Sequence, residues 1–346
     1  MVRRNVTFGL VAALLVVLYG WGWSRISTAA AVPASGPTPT PAAPAEETGV
    51  PKVGGTIAFV LRDNVYVLRG GRYAPQTSES RDQQPDLSRD GATLYFARRD
   101  EIDGTRVVDG AVTNAQLWFT SIVGKPSMGG PEDDVLNGLR LRRSNGNDIV
   151  SWLLAPAVSP DGKQIAVVED DGDGFTDLAL WTMGKSQVRR LISQGARLAD
   201  PSWSPDGTHI ATTTYNTQAA GILIWDVAHA TATRLAGLPA GDAYAPSYSP
   251  DGTHLVYTLR HGGKNDVHVY DLEAKTDVAV TRDGVSWYAV FSPDGTEIAF
   301  LHSHEATIDL YAMPLGDALS GGKPGAPVKL TRGEGVDGSS RPSWGK

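Results

Sequence analysis

The phrase Ser-Pro-Asp-Gly recurs along this chain between the same kinds of neighbours, and its spacing decides most of what the chain can fold into. It stands in PAVSPDGKQIAVV from Pro156, PSWSPDGTHIATT from Pro201, PSYSPDGTHLVYT from Pro246 and AVFSPDGTEIAFL from Ala289. A degenerate copy, PDLSRDGATLYFA, starts at Pro85. The glycines of these copies, Gly91, Gly162, Gly207, Gly252 and Gly295, lie 71, 45, 45 and 43 residues apart. Proline presets φ, Asp favours the next turn position and Gly accepts the left-handed conformation that closes the loop. The phrase therefore reads as a hairpin turn between two strands.

After each turn comes a short run rich in β-branched and aromatic residues (IAVV, IATT, LVYT, IAFL). A polar stretch, a third apolar run (DLALW, GILIW, DVHVY, TIDLY) and a fourth segment (VRRLI, ATRLA, DVAVT, PVKLT) follow. Four strands at a period of 43 to 45 residues make the blade of a β-propeller. Counted by their second strands, near Gly55, Gly91, Gly162, Gly207, Gly252 and Gly295, the units predict six blades. The long interval between Gly91 and Gly162 is assigned to loops within the second blade, RRDEIDGTRVVDGAVTN (98–114) and RRSNGNDIVSW (142–152). The C-terminal PSW (342–344) repeats the start of the phrase without its end, whereas VGGTIAFVL from Val53 has the end without the start. A ring must close to leave no strand edge or apolar face unpaired, so PSW supplies the innermost strand of the blade whose other strands are TIAFV, NVYVL and RYAPQ. The expectation is an all-β, six-bladed β-propeller over residues 53–346, closed by its C-terminal strand.

The phrase PSWSPDGTHIA, followed by DLALW or GILIW and a basic-leucine segment, resembles the WD40-like (PD40) repeats of the TolB-type six-bladed β-propeller. It is also similar to the propellers of prolyl-oligopeptidase-type peptidases. The resemblance covers about residues 53–346 and implies a fold that serves many unrelated functions. TolB-like proteins carry an α/β domain before the propeller, where this sequence has a linker. The peptidases carry a hydrolase domain with a Gly-x-Ser-x-Gly elbow, and this sequence has no such elbow.

Ahead of the propeller, Arg4 and Arg25 bracket the uncharged run NVTFGLVAALLVVLYGWGWS. As a helix it would span about 30 Å at roughly 1.5 Å per residue, enough for a bilayer core. Basic residues before it and Tyr19, Trp21 and Trp23 at its far end predict a signal anchor over residues 1–25 with a cytoplasmic N-terminus. The competing reading is a signal peptide cleaved after the AAA at 29–31, leaving a secreted chain. Residues 26–52, rich in Pro, Ala and Thr, read as an extended stalk. The layout predicts a single-pass protein of the cell membrane with its propeller in the periplasm or outside the cell. Beyond Arg25 the chain carries 28 basic against 38 acidic residues, which argues against nucleic acid. The absence of cysteine permits an oxidising compartment.

Catalytic signatures are sparse, and neither a catalytic residue, a metal site nor a cofactor is expected. EDDGDGFTD (169–177) has the start of a calcium loop, but position twelve would be Leu180, where a bidentate Glu is needed. It reads as a polar turn. His302 and His304 alternate without a third ligand, and His209 and His254 occupy the same place in two repeats. The loops that lead into the inner strands converge around one mouth of the channel. They bring Trp152, Tyr244, Trp287 and Tyr288 together with Arg197, Arg341, Asp200 and Asp242. Aromatic rings beside charges around a concavity suit a protein partner, a peptide or a glycan. The reading is a binding module, possible as a subunit of an envelope complex; the alternative is a propeller hydrolase or lyase with its site in that mouth.

Overall fold

The computed structural model describes residues 47–79, 81–108, 111–128, 130–136, 152–170, 175–184, 188–191, 197–215 and 219–346. Among them no helix is long and apolar enough to cross a membrane, and the anchor read over residues 1–25 lies outside them. The chain is an all-β propeller. Its first sheet contains β1 (Glu47–Thr48), β2 (Thr56–Leu61), β3 (Asn64–Arg69) and β4 (Arg72–Pro75), and the last strand, β25 (Ser343–Gly345), completes it in the order β1-β4-β3-β2-β25. Ile57 pairs with Trp344 and Ala58 with Ser343. The C-terminal PSW is thus the inner strand of the first sheet, as the half-phrases predict. Within the stretch read as linker, β1 already pairs with β4, and Val50 is buried.

Three sheets follow the repeat with four strands each. They are β13 (Arg197–Trp203) to β16 (Thr231–Arg234), β17 (Asp242–Tyr248) to β20 (Thr276–Ala279), and β21 (Ser286–Phe291) to β24 (Val328–Lys329). Between them in sequence run β14 (His209–Tyr215), β15 (Ala220–Asp226), β18 (His254–His261), β19 (Lys264–Asp271), β22 (Glu297–His304) and β23 (Thr307–Pro314).

The expectation of six separate sheets is corrected here, because the described residues form five. Strands β5 (Asp82–Leu87), β6 (Leu94–Val108), β7 (Ala111–Lys125) and β8 (Asp133–Leu136) share one eight-stranded sheet with four more. Those are β9 (Trp152–Val158), β10 (Gln164–Asp170), β11 (Thr176–Thr182) and β12 (Val188–Leu191). A single parallel pairing, Thr120 with Trp152, joins the two halves. The same region corrects the loop assigned to residues 98–114. β6 and β7 pair without interruption from Leu94 and Lys125 to Val108 and Ala111, whereas β5 leaves β6 at Arg98. Residues 100–108 and 111–119 therefore continue as a two-stranded ribbon, roughly 30 Å long at about 3.3 Å per residue. The other loop, 142–152, lies outside the described residues except for Trp152.

The Ser-Pro-Asp-Gly turns are built alike, and the chemistry of the phrase explains why. In the turn from Pro201's copy, Ser204 Oγ donates to Asp206 Oδ1 (2.6 Å), which also accepts the Thr208 amide (2.9 Å). Ser204 Oγ in turn accepts the His209 amide (2.9 Å), and Gly207, at φ 73°, donates to the Ser204 carbonyl. The same four contacts recur at Ser159–Asp161, Ser249–Asp251 and Ser292–Asp294, and at the degenerate Ser88–Asp90. His209 and His254 each bond the preceding threonine, so they belong to the repeat.

The six inner strands touch in a closed cycle, β25 to β5, β9, β13, β17, β21 and back to β25. Each of the five before β25 is kinked by a residue at positive φ: Gln84 (51°), Ala155 (48°), Asp200 (51°), Ala245 (53°) and Tyr288 (55°). A left-handed residue other than glycine is unfavourable by roughly 1 to 2 kcal/mol. The kink turns the amide away from its own hairpin partner and towards the preceding unit of the ring. Gln84 N–H donates to Ser340 Oγ, Ala155 N–H to Gln84 Oε1, Ala245 N–H to Thr213 Oγ1 and Tyr288 N–H to Thr258 Oγ1, at 2.8 to 3.0 Å. These bonds between successive units of the ring offset the strain.

Candidate functional site

The channel has two mouths. At one, the inner strands begin, and the residues singled out in the sequence stand there at different depths. Trp152, first in β9, is 40% exposed. Arg197 and Asp242 start β13 and β17, half-buried, and Asp242 accepts the Ala220 amide at 2.9 Å. The rings of Tyr244 and Tyr288 meet edge to face, with centroids 5.9 Å apart and planes at 82°. Burial raises the pKa of the Tyr244 hydroxyl. Trp287 is turned inward, donating Nε1–H to the Gly338 carbonyl (2.9 Å) and packing against the core of the first and last sheets. It is a joint between sheets rather than a free ring.

Asp200 and Arg341 lie deeper. Asp200 is 6% exposed and accepts from Thr213 Oγ1 at 3.1 Å; burial pushes its carboxyl pKa up, and the charge of Arg341 opposes the shift. Arg341, two residues before β25, crosses the channel. Its Nη1 donates to the Pro246 carbonyl (2.6 Å) and its Nη2 to that of Pro201 (2.9 Å). β13, which carries Pro201, stands opposite β25 in the cycle of inner strands. The guanidinium therefore spans the channel from the closing strand to the opposite wall.

Sequence reasoning missed the second mouth, where the inner strands end at the Ser-Pro-Asp-Gly turns. There a cavity of about 180 Å³ is lined by all six inner strands. Arg341, Asp86, Ser202, Ser247 and Ser343 line it, and Tyr248, Trp344, Pro205, Pro250 and Pro293 stand around them. Asp86 faces this space among the inner strands; desolvation pushes its pKa up to about 6, while the Val158 amide and Arg341 pull it back. Its carboxylate clips neighbouring inner strands together, accepting Val158 N–H (2.7 Å) and Ser343 Oγ–H (3.1 Å). The signal was present in the sequence, since Asp86, Ser202, Ser247 and Ser343 all follow the residue in the proline position of the phrase.

Among the described residues no group of three or more His, Asp or Glu is placed to hold a metal. His302 Nδ1 lies 3.0 Å from Ser286 Oγ, and His304 faces Glu305. Of the acidic stretch 169–177, Glu169 and Asp170 end β10, Thr176 and Asp177 begin β11, and residues 171–174 lie outside the described set.

The comparisons with known proteins agree with this architecture. Residues 188–323 match the family model of the TolB β-propeller domain, PD40. The chain resembles the crystal structure of TolB from Acinetobacter baumannii with a TM-score of 0.62 at 17% identity, covering 84% of this chain and 66% of that one. It spans slightly less than two thirds of that relative. A protein from Agrobacterium tumefaciens solved as a TolB candidate gives a TM-score of 0.58 at 18% identity, covering 84% of this chain and 92% of that one. A chain in a nidogen/laminin complex gives 0.57 at 12% identity, covering 84% and 98%. At these identities the likeness is one of fold. A search of curated proteins finds no match.

Proposed function

We propose that the chain is a membrane-tethered, extracytoplasmic propeller that binds a protein partner, or a peptide or glycan presented by one, at the mouth where the inner strands begin. It binds without catalysing a reaction. In this reading the eight-stranded sheet counts as two blades linked by the Thr120–Trp152 pairing, so the ring has six. The observation that carries the proposal is at that mouth: Trp152 is 40% exposed and pairs with Thr120 at the foot of the β6–β7 ribbon. An accessible tryptophan beside a projecting ribbon is the composition of an interface anchor. The tether rests on the uncharged run between Arg4 and Arg25.

Asp86 and Asp200 bear on the alternative of a propeller enzyme, because raised carboxylates mark catalytic acids as well as structural ones. Both carboxylates are engaged in holding the ring, Asp86 by Val158 and Ser343 and Asp200 by Thr213. This favours binding over catalysis. Replacing Trp152 with a photo-crosslinking amino acid in the membrane-bound protein tests the site. A discrete adduct that is absent when the crosslinker replaces the exposed Thr231 on β16 supports it. No adduct, or the same adducts from both positions, contradicts it.

A further inference from the structure

The cavity at the turn mouth lies on the far side of Arg341 from the surface just described, and its chemistry points to an occupant of its own. We propose that it receives a single neutral sugar ring, the end of a glycan chain, with the hydroxyls of the sugar on Arg341 and the serines and its carbon face on the surrounding rings.

Size comes first. At about 180 Å³ the space is little larger than the roughly 150 Å³ cavities that hold one benzene molecule, and well below the roughly 300 Å³ at which drug-sized pockets begin. One six-membered ring with its substituents fits this scale; an extended peptide does not.

Charge comes second. Arg341 and Asp86 lie together among the inner strands, and the exposed Arg89 and Lys346 complete the charged lining. A cation entering the cavity meets the guanidinium, and an anion meets the carboxylate. Either would also give up part of its own hydration in a narrow space that is open only at the mouth side. A neutral group escapes both penalties and still meets a donor and an acceptor.

Unused hydrogen-bonding capacity comes third. Arg341 donates once from each Nη, to Pro201 and Pro246, and its Nε–H and second Nη hydrogens bond to no described residue. Ser202 Oγ accepts the Tyr248 amide (3.2 Å), which leaves its hydrogen to give, and Ser247 Oγ has no partner among the described residues. Donors of this kind favour a ligand whose oxygens satisfy them. The half-buried rings of Tyr248 and Trp344, with Pro205, Pro250 and Pro293, supply apolar faces for the C–H side of a pyranose.

The test is saturation-transfer NMR on the folded full chain with glucose, galactose, mannose, N-acetylglucosamine and N-acetylgalactosamine at about 10 mM, a concentration that reveals millimolar affinity. Glucosamine and glucuronate serve as the cationic and anionic counterparts. Transfer to at least one neutral sugar is expected, with at least a tenfold weaker Kd in Ser247→Phe, which fills the cavity; Ser247→Leu gives the same reading should the larger ring impair folding. Absence of transfer from every neutral sugar overturns the proposal. So does tighter binding of glucosamine or glucuronate than of the neutral forms, or neutral-sugar binding that survives both Ser247 variants. None of these outcomes bears on the partner surface at the other mouth.

Discussion

Arg341 donates to the carbonyl of Pro201 from the opposite wall of the channel, at 2.9 Å, and a second arm of the same guanidinium holds Pro246 at 2.6 Å. One side chain thus links the closing strand to β13, opposite it in the ring, and to β17. It also supplies the positive charge that opposes the desolvation of Asp86 and Asp200. Arg341→Ala leaves two carbonyls without donors and two carboxylates without their cation. Losing a hydrogen bond from a charged donor costs about 1.5 to 3 kcal/mol. Urea unfolding should show the midpoint falling accordingly; an unchanged midpoint contradicts the spoke role.

The same reasoning applies to closure. Deleting residues 342–346 removes the β2–β25 pairing, the clip from Ser343 to Leu87 (2.9 Å) and the Trp344 Nε1 bond to the Gly54 carbonyl (2.7 Å). Loss of a large packed aromatic alone costs about 3 to 5 kcal/mol, a large share of the roughly 5 to 15 kcal/mol that stabilises a domain. Calorimetry should show the whole transition moving down. A transition unmoved by the deletion would rule out a ring held shut by this strand.

The two tryptophans of the inner-strand starts should separate cleanly. Trp287→Ala is expected to destabilise the fold by about 3 kcal/mol or more, because its indole bonds Gly338 and packs in the core. Trp152→Ala, at a 40% exposed site, should leave the melting temperature within about a degree or two. Thermal denaturation of the pair decides, and equal effects would show that burial has been misassigned.

Stability should depend on pH through two opposed sets of carboxylates. Asp86 has a folded pKa of about 6 against 3.8 for an ordinary aspartate, so the folded state binds its proton more tightly. Its contribution is fully present below about pH 4 and lost as pH rises through 6. The turn residues Asp90, Asp161, Asp206 and Asp294 run the other way, their pKa lowered first by the serine hydroxyl of each turn, to about 2 at Asp206. Their stabilisation is present above about pH 4 and fades as pH falls towards 2. Denaturant unfolding from pH 7 to 5 should therefore show the wild type gaining stability relative to Asp86→Asn, by about 1 kcal/mol. Parallel pH profiles for the two proteins would contradict the assignment.

The repeat made the turns, the strand order within each sheet and the closing strand legible, because Ser, Pro, Asp and Gly each have a fixed task in the turn. The β6–β7 ribbon was misread as a loop on account of its charges and glycine, RRDEIDG; yet VVDGAV, with Asp-Gly between β-branched residues, is the ordinary signal of a two-residue hairpin. The kinks at Gln84, Ala155, Asp200, Ala245 and Tyr288 carry no glycine, so nothing local announced them. Arg341 looked like a surface contact because its partners, 95 and 140 residues away, become neighbours only once the ring has closed. The exposure of Trp152 and the inward turn of Trp287 could not be told apart from sequence for the same reason.

The N-terminal anchor has its own check. Intact-mass analysis of protein extracted from membranes should retain residues 1–25. A mature chain beginning near Val32, recovered in the soluble fraction, would instead establish cleavage.

The account's central claim, that this propeller works by holding a partner at the mouth beside the ribbon, is tested most directly by replacing residues 101–118 with an Asn-Gly turn. This shortens the hairpin at the Asp100–Phe119 pair and leaves the sheet intact. Wild-type and shortened proteins, tagged and extracted from their own membranes, are compared by quantitative mass spectrometry of what co-purifies, after their melting temperatures have been matched. The account predicts at least one species enriched with the wild type and reduced tenfold or more with the shortened form. Equal recovery of every co-purifying species by the two folded proteins would contradict it.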